Sequence, residues 1–126
     1  MDAATKPLSC AHSPRGAGPI DLAHLRRFTL GDKRLEEEIL KLFIEQAPVT
    51  IEAMRRAQTK RDWVRAAHTL KGSARAVGAW RLAELAESAE RLEGPSDRPN
   101  CALALRHLEE AAGVARAHIV SLTSPC

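Results

Sequence analysis

The chain has 126 residues and a formal net charge of +3, enough length for one domain and too little charge to require a nucleic-acid partner. Two Phe, two Trp and no Tyr leave the core to Leu, Ala, Ile and Val, a composition that favours helices. No apolar h-region follows Met1 and no run of about 18 apolar residues occurs, so neither a signal peptide nor a membrane span is expected.

Residues 1–19 contain Pro7, Pro14, Pro19, Gly16 and Gly18 without apolar periodicity and read as a disordered N-terminal tail in which His12 is incidental. A short helix is expected from Asp21, an N-cap, with Leu22, Leu25 and Phe28 facing inward and Gly31 ending it. His24 on this helix reads as a surface residue. The second helix starts near Asp32, with Glu36, Glu37 and Glu38 close to its positive end. Leu35, Ile39, Leu42, Gln46, Val49 and Ala53 recur at helical spacing as its core face, widened by Phe43. Pro48 interrupts it and predicts a kink or a division into two shorter helices.

Asp62 is the expected cap of a third helix, in which Trp63, Ala67, Leu70, Ala74 and Val77 form an apolar stripe until Gly78 ends it in a left-handed turn. Leu82, Leu85, Ala89 and Leu92 carry the fourth helix up to Gly94-Pro95, and residues 93–99 form a loop. Asn100 is then the expected cap of a last helix with a seam of Cys101, Leu105, Leu108, Ala112, Ala115, Ile119 and Leu122. Long amphipathic segments joined by short loops pack antiparallel, crossing at roughly 20°. The expected fold is all-α, an up-and-down antiparallel four-helix bundle with a short extra N-terminal helix, over residues 20–122, with 123–126 as a C-terminal tail.

The third helix carries a second stripe. His68, Lys71, Gly72 and Arg75 fall at i, i+3, i+4 and i+7, turned away from the apolar face toward solvent. Glycine inside a helix costs about 1 kcal/mol relative to alanine, so Gly72 calls for a reason beyond propensity. A partner that must approach the imidazole closely supplies one, because a side chain one turn along would obstruct it. Lys71 adds positive charge for an anion on the ring. Together these residues suggest a phosphorylatable histidine. Helix pairing sets His68 level with residues 88–91 of the next helix, where Glu90 or Arg91 could orient the ring.

The run Ala67-His68-Thr69-Leu70-Lys71-Gly72-Ser73-Ala74 with Val77-Gly78-Ala79 resembles the signature of the histidine-containing phosphotransfer domain family of phosphorelays. The resemblance extends through Leu42-Phe43-Ile44-Glu45-Gln46-Ala47-Pro48, Asp62-Trp63, Leu82-Ala83-Glu84-Leu85 and Leu92-Glu93, covering residues 20–122. It implies that the second helix is continuous but bent. It also implies that His68 takes a phosphoryl group from the aspartyl phosphate of a receiver domain and passes it to another receiver aspartate. Lys71, helped by Arg75, would neutralise charge, and Val64 and Leu25 would form an apolar docking rim. Response-regulator receiver domains are the implied partners, with a hybrid histidine kinase a further candidate. Mg2+ is expected only in the receiver, and this chain is expected to be a cofactor-free monomer.

Other readings are weaker. No Walker-type loop, GxGxxG turn or carboxylate cluster for magnesium is present, so a phosphocarrier is expected and not a kinase. His12, His24, His68, His107 and His118 lie on different segments or eleven residues apart, which is unlike a metal site. The three cysteines, Cys10, Cys101 and Cys126, are odd in number and match no metal spacing, so a reduced, cytoplasmic setting is expected, with Cys101 as small core filler. Four basic residues against Asp62 between Arg61 and Ala76 suit an acidic partner surface. They also admit a nucleic-acid-binding module, but helix-turn-helix spacing and a stacking set of aromatics are missing. An adaptor that docks receivers without transferring phosphate would not need the intact His68-Lys71-Gly72.

Overall fold

A computed structural model describes residues 18–123, which form five helices and one 3-10 turn; no strand occurs among them. Cys10, His12 and Cys126, and all of the expected N-terminal tail except Gly18 and Pro19, lie outside the described residues. The helices are α1 (Leu22–Thr29), α2 (Lys33–Arg56), α3 (Lys60–Ala76), α4 (Trp80–Glu90) and α5 (Arg98–Thr123), with the 3-10 turn Gly94–Ser96 between the last two. Helices α2 to α5 pack in a ring, each against the next and α5 against α2, and α1 lies against α2. This is the expected bundle with its short extra helix. No helix among the described residues is long and apolar enough to cross a membrane.

Side-chain caps start most of these helices. Asp21 accepts a hydrogen bond from the His24 N–H and Asp32 accepts one from the Leu35 N–H, as expected. At α3 the cap is Thr59, whose hydroxyl accepts from the Asp62 N–H, so Asp62 sits in the first turn instead of preceding it. At α5 the capping carboxylate is Asp97: it accepts from the backbone N–H and side-chain amide of Asn100, and the helix starts two residues ahead of the expected cap. Asn100 could be mistaken for the cap because Pro99 stands before it, yet proline is well suited to a first helical turn. At the other end of α1, Leu30 as well as Gly31 adopts a left-handed conformation, and α4 ends at Glu90, before Leu92.

The core follows the expected stripes on α3, α4 and, for the most part, α5. Trp63, Ala67, Leu70, Ala74 and Val77 are all buried, as are Leu82, Ala89, Cys101, Leu108, Ala115 and Ile119. Leu122 is exposed near the end of α5. On α2 the expectation was wrong. The buried face is Glu36, Leu40, Phe43, Ala47, Ile51 and Met54, whereas Leu35, Leu42 and Val49 are exposed. At 100° per residue the two stripes lie about a quarter turn apart, and both are apolar enough to satisfy the periodicity. Glu36 disguised the true one: a carboxylate at its head made it look polar, but Arg26 of α1 pairs with Glu36 at 2.8 Å and makes its burial tolerable. Phe28 also points outward, while Leu25 fills the core. Pro48 leaves α2 a single uninterrupted helix.

The turn between α3 and α4 is built on Gly78, at φ 76°. The Ala79 N–H reaches the Ala74 carbonyl at 2.8 Å and the Gly78 N–H reaches the Arg75 carbonyl at 3.2 Å, satisfying the last turn of α3. The Gly78 carbonyl then accepts the Asp21 N–H at 3.0 Å, and the Asp21 carboxylate accepts the Trp80 indole N–H at 3.0 Å. At the opposite end the Trp63 indole donates to the Ala89 carbonyl at 2.7 Å and the buried Cys101 thiol donates to the Gly94 carbonyl at 3.0 Å. Burial raises the thiol's pKa, consistent with Cys101 as inert filler.

Two glycine replacements should therefore act in opposite directions. A Cβ at Gly78 would stand 2.7–2.9 Å from Asp21 in a left-handed conformation, so Gly78→Ala should lose about 1–3 kcal/mol in urea denaturation. Gly113, inside α5 with nothing within 4 Å of a built Cβ, should gain about 0.5–1 kcal/mol as Gly113→Ala.

Candidate functional site

His68 projects from the side of α3 opposite the stripe that begins with Trp63, and its side chain is 70% exposed. Its position relative to α4 follows from the turn: it lies ten residues before Gly78, and Glu90 lies twelve after it on the antiparallel helix. Buried Ala67 and Ala74 on α3 and Ala83 and Ala86 on α4 put only methyl groups into the core here, so the two axes can run close together. A glutamate on α4 can then reach across to α3.

Glu90 does so with both oxygens. Oε2 lies 2.9 Å from His68 Nδ1 and Oε1 lies 2.6 Å from Lys71 Nζ. An ionised carboxylate only accepts hydrogen bonds, so Nδ1 carries the proton in this contact and Nε2 is left with its lone pair toward solvent. Partial burial pushes the Glu90 carboxyl pKa upward, but the hydrogen bonds from Lys71 and His68, with the charges behind them, outweigh that and hold it below the ordinary carboxylate value. Lys71 is not the free cation that the sequence suggested: its side chain is 14% exposed and already paired. The sequence offered Glu90 or Arg91 as the orienting group and gave no sign of this second bond. The signal available for that group was a matched level on two helices joined by a tight turn.

The other expected site residues fall on several surfaces. Gly72 is exposed and a Cβ there would meet nothing within 4 Å, so no contact among the described residues explains it. Arg75 approaches Glu87 Oε2 at 3.6 Å, and Arg91 reaches the same oxygen at 4.0 Å. Arg91 therefore turns to Glu87, and the ring-orienting contact belongs to Glu90. Val64, one turn before His68, is half-buried. Leu25 is 1% exposed, as its expected inward place on α1 requires, and a residue packed into the core cannot also line the docking rim expected of it. The exposed apolar residues nearest in kind are on α2. Ile44, Pro48 and Arg55 line a 340 Å³ groove with Ala112, Gly113 and Arg116 of α5. The opposite flank of α2, bearing Leu35, Leu42 and Val49, therefore turns toward α3.

Comparison with known families decides the classification. The family model of the Hpt domain matches residues 38–117, more than half of the chain and all of α3 and α4. The chain belongs to the Hpt family. No curated protein and no solved structure matches it. Hpt domains serve histidine phosphotransfer in phosphorelays, as phosphocarriers and not as kinases, and receiver domains are the partners the family implies. His68, Lys71, Gly72, Arg75 and Glu90 all fall inside the matched span of this Hpt domain, whereas α1 precedes it. Among the described residues no group of three or more His, Cys, Asp or Glu side chains is arranged to hold a metal ion.

The Glu90 bridge gives a pH dependence of definite sign. Its carboxyl pKa is lowered on folding, so the contribution is complete above the unfolded value of about 4.3 and is lost as pH falls through the lower folded value. Glu90→Gln should be less stable than wild type near neutral pH, and the gap should close in denaturation experiments carried out below about pH 4.

Proposed function

We propose that this Hpt domain accepts a phosphoryl group on His68 from a receiver-domain aspartyl phosphate and delivers it to another receiver aspartate in a multistep phosphorelay. The observation that carries this reading is the pairing of an exposed imidazole with Glu90 through Nδ1, which leaves Nε2 as the nucleophile. In the first step the Nε2 lone pair forms the new N–P bond. The P–O bond of the acyl phosphate breaks, and its electron pair returns to the receiver's carboxylate. The return step reverses this toward a second carboxylate. Phosphoryl transfer depends mainly on in-line placement and on neutralising the equatorial oxygens. Lys71 and Arg75 supply positive charge from this chain, and Mg2+ belongs to the receiver.

Docking follows from the same surface. The missing side chain at Gly72 lets the receiver's loops come within reach of Nε2, and the open space around that position supports this role. Half-buried Val64 and the exposed Leu35, Leu42 and Val49 of α2 offer an apolar margin around the basic α3. A hybrid histidine kinase that carries its own receiver would meet the same face.

Two substitutions test the site. With a phosphorylated cognate receiver as donor, His68→Gln should take up no radiolabelled phosphate, and labelling at the wild-type rate would remove His68 from its role. Gly72→Leu should keep or slightly raise helix stability, since leucine has the better propensity and its Cβ would meet nothing within 4 Å. Its transfer rate from the same receiver should fall at least tenfold, as measured by quench-flow.

A further inference from the structure

Glu90 joins the imidazole to the cation with one carboxylate, Oε2 to His68 Nδ1 and Oε1 to Lys71 Nζ. Once a phosphoryl group sits on Nε2, these two contacts have different fates. The phosphoryl oxygens are a second, more highly charged anion close to Lys71, and the ammonium can turn to them because its four-carbon stem is flexible. The Nδ1 contact is made at the other ring nitrogen, away from the new group.

We infer that Glu90 sets the lifetime of phospho-His68, by keeping the proton on Nδ1 and so keeping the ring a good leaving group at alkaline pH; this rests on His68 being the phosphoryl acceptor. When the group departs, the Nε2–P bond breaks and both electrons stay on Nε2. Phosphorus bonds to an oxygen of the receiver carboxylate or of water, which in the latter case gives its proton to solvent. If Nδ1 is protonated, the ring leaves as neutral imidazole and already has its resting tautomer. Without that proton it would have to leave as imidazolate, a far poorer leaving group.

The charged surroundings leave this role to Glu90. From α3 it faces His68 and Lys71. On its own helix Glu87 is engaged by Arg75 and Arg91. Among the described residues, no cationic group of α5 or of the 3-10 turn lies within ion-pair distance of Glu90. Lys71 and Glu90 bear opposite charges beside the ring, so removing one or the other changes its surroundings in opposite senses.

The test uses the full chain phosphorylated with phosphoramidate, a small donor that labels imidazoles without a receiver. Decay of the phospho-His68 ring signal is followed by nitrogen NMR from about pH 5 to pH 10, with His68→Gln identifying the signal. Glu90→Gln keeps an acceptor oxygen for the ring but loses the charge. Its decay profile should move to lower pH by about one unit, so that on the alkaline limb phospho-His68 survives roughly tenfold longer than in wild type. Lys71→Gln, which retains the Glu90 contact, should move the profile the other way. Superimposable profiles for Glu90→Gln and wild type, or a shift of Glu90→Gln to higher pH, would overturn the inference. So would failure of phosphoramidate to label His68 while other imidazoles are labelled. Failure of receivers to label His68 would count against the phosphorelay reading alone, because the phosphoramidate measurement does not involve them.

Discussion

The left-handed turn at Gly78 is the constraint on which the site depends. It ends α3, starts α4 two residues later, and fixes the level at which the two antiparallel helices face each other. Ten residues back lies His68 and twelve residues on lies Glu90. A shift of one residue in this register would rotate Glu90 by about 100° around its helix and carry it away from both His68 and Lys71. The same turn receives the Asp21 N–H on its carbonyl, and there is no room for a Cβ between the two segments. One glycine thus sets the helix register behind the chemistry and anchors the helix that precedes the matched span of the family.

Electrostatically the site is balanced around a single carboxylate. Lys71 is mostly covered, a position that an unpaired ammonium would occupy only at considerable cost in lost hydration. Glu90 offsets that cost, and with its other oxygen it fixes which nitrogen of His68 is free. One carboxylate thus holds the exposed imidazole and the mostly covered ammonium side by side. Arg75 and Arg91, converging on Glu87 one turn earlier on α4, extend the alternation of charge along the α3 and α4 surface.

Much of this was legible in the sequence, and the exceptions have specific causes. The stripe from Trp63 to Val77 has small and large apolar residues on one face and nothing comparable on the other, so its inward side was unambiguous and His68 had to face out. On α2 apolar residues spread over more than half the circumference, and the choice between two stripes was made by tertiary contacts that no local pattern contains. One such contact, Arg26 with Glu36, joins residues of two different helices and lets a carboxylate sit on the buried face. For the same reason Leu42 and Val49 were taken for core. The helix caps show a milder version, since Thr59 and Asp62, or Asp97 and Asn100, are all capable caps and only backbone geometry chooses between them. Glu90 was visible as a neighbour of the ring because the level of two helices joined by a tight turn can be counted. Its bond to Lys71 was not, because counting gives a level and says nothing of how many partners one side chain takes.

The misread face of α2 bears on how such a domain can be recognised by a partner. A bundle needs one apolar stripe per helix, and Leu40, Phe43, Ala47, Ile51 and Met54 already provide it here. The further apolar residues Leu35, Leu42 and Val49 do not serve the core, and stability alone would favour polar residues there. They lie on the flank that turns toward α3, beside the helix that carries His68 and the open space at Gly72. Both features run against the interest of the isolated fold, one by leaving apolar surface wet and the other by weakening a helix. Costs of two different physical kinds, on the neighbouring helices α2 and α3, have a common explanation if a second protein covers that side during transfer.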